Sequence, residues 1–101
     1  MRRAARKDDN QIEIEAAFRA CGFEVADTSR LGDGFPDLTV YRPANGVLLV
    51  EVKDGSKPPS ARKLTPAEAD FARRFPVKLV ESVDDVLTLA GQYDIPRKDL
   101  A

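Results

Sequence analysis

The chain has no histidine and a single cysteine among its 101 residues. The first absence excludes Ser-His-Asp and Cys-His catalysis and histidine-ligated zinc. Carboxylates, lysines and hydroxyls are left as the reactive inventory. The lone Cys21 offers no disulfide framework and fits a reducing cytosol. No apolar run approaches the roughly 20 residues of a membrane span, and no signal peptide is visible. A strong charge of one sign is also missing. The 16 Lys and Arg against 17 Asp and Glu leave a net charge of −1, which does not by itself announce a nucleic-acid binder. With 43% hydrophobic residues, the rest describes one soluble globular domain with a core that needs no metal or disulfide staple.

The charge that is present lies unevenly. Arg2, Arg3, Arg6 and Lys7 make a basic start, and Lys53, Lys57, Arg62 and Lys63 follow directly on an acidic motif. An acidic centre between basic segments suits a phosphate backbone bound around metal ions. An ordinary charge-mixed surface has the same composition.

Periodicity places the elements. Residues 1–8 read as a basic arm. Ile14, Ala17, Phe18 and Cys21 form the apolar stripe of a helix from about Asn10 to Cys21, stopped by Gly22. Cys21 is then a small buried hydrophobe. Glu13 and Glu15 flank the stripe on opposite sides, and periodicity does not choose between them as an inward-reaching acid. Phe23 to Ala26 reads as a strand, Ser29 to Gly34 as a glycine-bearing loop, and Asp54 to Arg62 as a second loop. Thr65-Pro66-Ala67-Glu68 states a helix start with a capping box, and Phe71, Ala72 and Phe75 are that helix's stripe. Val77 to Val80 is a short strand. Ser82 caps a last helix, with Val83, Val86, Leu87 and Ala90 as its stripe and Gly91 as its stop. The order is αβββαβα: a domain over 9–91, then a polar tail or dimer arm over 92–101.

The stretch Phe35 to Lys53 organises the rest. Leu38 to Arg42 and Val47 to Lys53 read as the two strands of a hairpin about the Pro43-Ala44-Asn45-Gly46 turn cluster. Leu49, Glu51 and Lys53 share one face of the second strand. Asp37 points the same way only if odd-numbered residues pair with odd ones. A three-residue loop, Ala44-Asn45-Gly46, satisfies that with Gly46 in the left-handed position. Two acids and a lysine then meet at one end of the hairpin.

Pro36-Asp37 followed by Glu51-Val52-Lys53 on the next strand resembles the PD-(D/E)XK nuclease signature, and the chain is similar to the small stand-alone VRR-NUC nucleases often encoded by phages. Asn10-Gln11-Ile12-Glu13-Ile14 resembles that branch's first-helix motif, Lys63-Leu64-Thr65-Pro66-Ala67-Glu68 its second-helix entry, and Ser82-Val83-Asp84-Asp85-Val86-Leu87 its closing segment. The likeness covers about Asp8 to Gly91, nearly the whole chain. It implies an α/β fold, the restriction-endonuclease-like αβββαβ core with a C-terminal helix, its mixed sheet flanked by helices. It also implies a metal-dependent endonuclease that hydrolyses DNA to 5′-phosphate and 3′-hydroxyl ends. The substrate would be branched or junction DNA, the active form a homodimer, and the setting the cytoplasm of a bacterial or phage-infected cell.

By that resemblance Asp37, Glu51 and the main-chain carbonyl of Val52 hold Mg2+, for which Mn2+ substitutes, and Glu13 joins them directly or through water. Lys53 holds or activates the attacking water. Lys57, Arg62 and Lys63 contact the DNA backbone. Each residue has a plainer rival. Asp37 serves as a turn residue after Pro36; Glu51 and Lys53 protect a sheet edge; Glu13 completes a capping box on Asn10, and Glu68 one on Thr65. Relatives often carry a glutamine in that part of the second helix, and this chain lacks it. A catalytically inactive nuclease-fold module that binds DNA or a replication partner is the alternative function.

Overall fold

The computed structural model describes residues 9–94. The basic arm, 1–8, and the tail beyond Asp94 lie outside the described residues. Chain order is α1 (Gln11–Ala20), β1 (Glu24–Asp27), β2 (Leu38–Arg42), β3 (Gly46–Val52), a 3-10 turn (Pro59–Ala61), α2 (Pro66–Arg74), β4 (Val77–Val80) and α3 (Val83–Asp94). The four strands form one mixed sheet in the order β1-β2-β3-β4. Both hairpin pairings are antiparallel, and β4 returns parallel to β3 after the α2 crossover. The expected αβββαβα order and α/β class are therefore present.

Strand alternation divides the sheet into two unlike faces. Leu38, Val40, Val50, Val52 and Val80 are buried on one face, against Ile14 and Phe18 of α1 and Val86, Leu89 and Ala90 of α3. Each valine, leucine, isoleucine or phenylalanine among them, fully withdrawn from water, contributes about 1.5–3 kcal/mol. The opposite face is only partly covered, by α2, and leaves Tyr41, Val47 and Leu79 exposed. Arg42 is buried at the far end of the hairpin. Its guanidinium donates to the carbonyls of Cys21 at 2.7 Å and Ala90 at 3.0 Å and lies 4.6 Å over the Phe23 ring, tying α1 to α3.

Hairpin parity is as expected: Thr39 pairs with Leu49 and Leu38 with Val50. The loop sits one residue earlier than Ala44-Asn45-Gly46, because Arg42 pairs with Gly46, which is left-handed at φ +72° and opens β3. The first strand begins at Glu24, with Phe23 packed in the core just before it. The largest difference is in α3. Ser82 caps it as expected, its Oγ accepting from the Asp85 N–H at 3.2 Å, but the helix passes through Gly91 and runs to Asp94. Leu89 is in the core and Leu87 is half exposed, so the buried stripe is Val86, Leu89 and Ala90, with Val83 partly buried beside it. None of the helices among the described residues is long and apolar enough to cross a membrane.

Candidate active site

β3 lies between β2 and β4, so Glu51 belongs to a central strand, Lys53 follows directly on its end, and neither protects an edge. The β2–β3 ladder ends at the Leu38–Val50 pair, and one step further Asp37 comes level with Glu51. There the Asp37 side chain takes over from the backbone. Its Oδ2 accepts the Val52 N–H at 2.9 Å, where a longer β2 would have offered a carbonyl. Its own carbonyl accepts the Thr28 N–H at 2.8 Å, which fixes the residue from the other side. Asp37 is thus built into the strand end and is not a free turn residue.

Glu51 is 3% exposed. Burial is the main reason its carboxyl is pushed up to about 10; the Asp37 charge and the contacts with Glu68 push the same way. At neutral pH it is therefore a protonated acid sharing space with two other carboxyls. Lys53 stands beside it, with Nζ 3.7 Å from Glu51 Oε2 and 2.9 Å from Glu68 Oε1.

Glu68 does two jobs with one oxygen. Its Oε1 accepts the Thr65 N–H at 2.9 Å while Thr65 Oγ1 accepts the Glu68 N–H at 3.1 Å, so the capping box expected from the sequence is complete. The same Oε1 receives Lys53 Nζ. Burial alone would raise the Glu68 carboxyl, but the Thr65 N–H, the Lys53 ammonium and the Glu51 proton outweigh it and hold the group below its ordinary range. In the sequence, the cap by itself accounts for a glutamate at that position. No spacing signal shows that a first-turn side chain also reaches across to another strand. Between these elements lies a small cavity of about 60 Å³, lined by Gly34, Glu51, Leu64, Glu68, Ala72 and Leu79 among others.

The structure does not gather every expected residue here. Glu13 is exposed and lines a separate cleft with Asp9, Asn10, Asp54, Glu81 and Asp85, while the acids that act on Glu51 are Asp37 and Glu68. That cleft is the larger of the two, at about 530 Å³, but it holds neither Asp37, Glu51 nor Lys53. The plainer reading of Glu13 also fails, because the Asn10 side chain makes no capping bond to α1. Its Nδ2 donates instead to the carbonyls of Lys53 at 3.2 Å and Glu81 at 3.1 Å, sewing the start of α1 to the ends of β3 and β4. Glu15 faces inward, 9% exposed, and accepts from Gln11 Nε2 at 3.0 Å.

The basic stretch separates into three roles. Arg62 is engaged within the fold, donating to the Lys57 carbonyl at 2.8 Å and pairing with Glu81 at 3.2 Å. Lys57 makes an open pair with Asp9 at 3.5 Å. Lys63 is exposed and, among the described residues, makes no ion pair.

Among the described residues no three carboxylate or thiolate groups form a ready-made metal cage. Two acids beside an ammonium at a strand end can nevertheless take a hard cation if main chain and water complete its shell. No family model, curated protein or solved structure matches the chain.

Proposed function

We propose that this chain is a metal-dependent endonuclease that hydrolyses DNA phosphodiesters, with Asp37, Glu51 and Lys53 at its centre. The observation that carries the reading is Glu51: a carboxyl buried beside Asp37, with the Lys53 ammonium 3.7 Å away, and pushed up chiefly by its burial. Such a group is poorly placed as a structural element and well placed as a metal ligand. The order Pro36-Asp37, Glu51, Lys53 adds the resemblance to the PD-(D/E)XK signature.

The donor set fits Mg2+, and Mn2+ by the same chemistry. Asp37 and Glu51 would supply carboxylates. The Val52 N–H faces Asp37, and a strand residue turns its carbonyl toward the same side, so the Val52 main chain would supply a third oxygen. A bound ion of this kind compensates charge on the phosphate and acidifies water. Lys53, steered by Glu68, offsets negative charge developing on the phosphoryl oxygens or orients the attacking water. Lys63, and Lys57 once its open pair parts, would receive neighbouring phosphates. Glu13, which lines the adjacent cleft, is left out of the reacting set.

A domain of this size has little surface for reading a long base sequence, so branched or junction DNA is the proposed substrate. Two copies would be needed to cut both strands, and the exposed sheet face around Tyr41, Val47 and Leu79 supports a homodimer. Work on DNA of this kind belongs to the cytoplasm of a bacterial or phage-infected cell. The test is purified protein with Mg2+, Mn2+ or EDTA against linear, nicked, flap and four-way-junction DNA. Metal-dependent cleavage of the branched substrates is expected. Binding without cleavage in any metal would replace the enzyme by a DNA-binding module of the same fold.

A further inference from the structure

The segment between β1 and Asp37 is held more tightly than a connecting loop requires. Asp27 Oδ1 accepts the Ser29 N–H at 3.0 Å and its hydroxyl at 2.6 Å, which launches the loop. Thr28 closes it, its N–H donating to the Asp37 carbonyl and its Oγ1 to the Pro36 carbonyl, both at 2.8 Å. On the return side Gly32, Asp33 and Gly34 are successively left-handed, at φ +75°, +56° and +80°. Asp33 is the one non-glycine residue in that region among the described residues. Gly34 is seated against the first turn of α2, where an added Cβ would run into the Ala67 carbonyl. The loop is therefore anchored at one end on Asp37 and at the other beside Glu68, two acids of the candidate site.

This anchored loop presents two adjacent side chains to solvent. Leu31 is 61% exposed. Arg30, beside it, is exposed and makes no ion pair among the described residues. An apolar side chain and a guanidinium thus stand side by side on a loop whose two ends are fixed at the candidate site. The tip is also near the chemistry: Arg30 lies two positions beyond Thr28, which is bonded to Asp37, a span of at most about 7 Å.

We propose that the Arg30–Leu31 tip is a DNA wedge. Leu31 enters between neighbouring bases, and Arg30 holds the phosphate next to the one being cut. Inserting an apolar side chain into a paired duplex requires unstacking a base step, whereas a branch or flap offers a step already open. The tip thereby selects branched over continuous DNA, through an energetic difference in the substrate and without reading bases. This rests on the proposed action on DNA and names the part of the chain that chooses among DNA shapes.

The experiment uses full-length protein in EDTA, so that binding is read without cleavage. The probes are a 5′-flap duplex with 2-aminopurine at the nucleotide flanking the branch and a fully paired duplex of the same sequence. Wild-type protein should brighten the flap probe. Leu31→Ala should remove that brightening and weaken flap binding about tenfold while leaving duplex binding unchanged; Leu31→Phe should retain both. Arg30→Ala should weaken both probes alike and reduce the salt slope by about one. Equal brightening by wild type and Leu31→Ala overturns the wedge, as does an absence of DNA binding. A parallel cleavage assay in Mg2+ keeps the two readings apart. Wedge behaviour without cleavage leaves this proposal standing and removes the nuclease. Cleavage with unchanged flap preference in Leu31→Ala does the reverse.

Discussion

Lys53 and Glu68 are joined by a 2.9 Å ion pair between the end of β3 and the first turn of α2. The partner oxygen is the one that caps the helix, so α2 is oriented by the same contact that orients the lysine. Substitution separates the two roles. Glu68→Gln preserves an acceptor for the Thr65 N–H but removes the charge facing Lys53. Its thermal midpoint should stay near wild type while cleavage falls about tenfold, equivalent to about 1.4 kcal/mol of barrier. Glu68→Ala should lose the cap as well, at about 1 kcal/mol of stability. Equal cleavage by Glu68→Gln and wild type would confine Glu68 to capping.

Single alanine substitutions of Asp37, Glu51 and Lys53 should each abolish metal-dependent cleavage in a folded protein, as checked by circular dichroism and a nicking assay. Glu13→Gln should cut near the wild-type rate, because its side chain lies in the neighbouring cleft. Three folded triad variants that still cut would remove the nuclease assignment.

The raised Glu51 carboxyl makes metal-free stability fall with pH. In the unfolded chain the group ionises near its ordinary value of 4.5, and in the fold near about 10. Its contribution is fully present below the first value, declines between them as the unfolded state releases its proton, and is gone above the second. Denaturant midpoints should thus be higher at pH 5 than at pH 8.5. Glu51→Gln should flatten that slope. Mg2+ should restore stability at the higher pH, by about 2.7 kcal/mol at a hundredfold excess over its Kd. A pH-independent midpoint in wild type would contradict the buried, protonated state.

Gly91 lies inside α3 with nothing within 4 Å of the position a Cβ would occupy. Gly91→Ala should therefore stabilise the protein by about 0.5–1 kcal/mol. Calorimetry should register this as a rise of several degrees in Tm. A fall would mean that the helix does not run through Gly91 in solution.

Lys63 and Arg62, adjacent in sequence, should behave differently. Lys63→Ala should weaken DNA binding evenly across sequences and lower the salt slope by about one. Arg62→Ala should instead destabilise the fold by loosening the 54–62 loop from Glu81, with a smaller effect on the salt slope. Equal slope changes from the two variants would place both on the phosphate.

Local chemistry made much of this legible. The α2 capping box, the odd-to-odd hairpin register and the Ile14–Phe18 stripe depend on residues within a few positions of one another, and each is where the pattern puts it. Structure and local pattern part where distant partners override a local rule. Asn10 precedes a helix with a glutamate three residues on, the standard capping pattern, but carbonyls of Lys53 and Glu81 take its amide. Gly91 carries a stop signal, yet packing of Leu89 and Ala90 into the core carries the helix through it. The triad's common face was readable from alternation. The addition of Glu68 was not, since it depends on how the crossover lays α2 over β3.

The Asn10 amide has a consequence in time. Its two acceptors lie 43 and 71 residues further along the chain. A nascent polypeptide that has emerged only as far as Lys63 already contains Asp37, Glu51 and Lys53. It lacks β4, the parallel neighbour of β3, and the Glu81 carbonyl that completes the clasp behind Lys53. Pairings this remote form late in folding. Synthesis thus withholds the finished site until most of the domain has left the ribosome, so a truncated product would carry the motif without the scaffold that aims it.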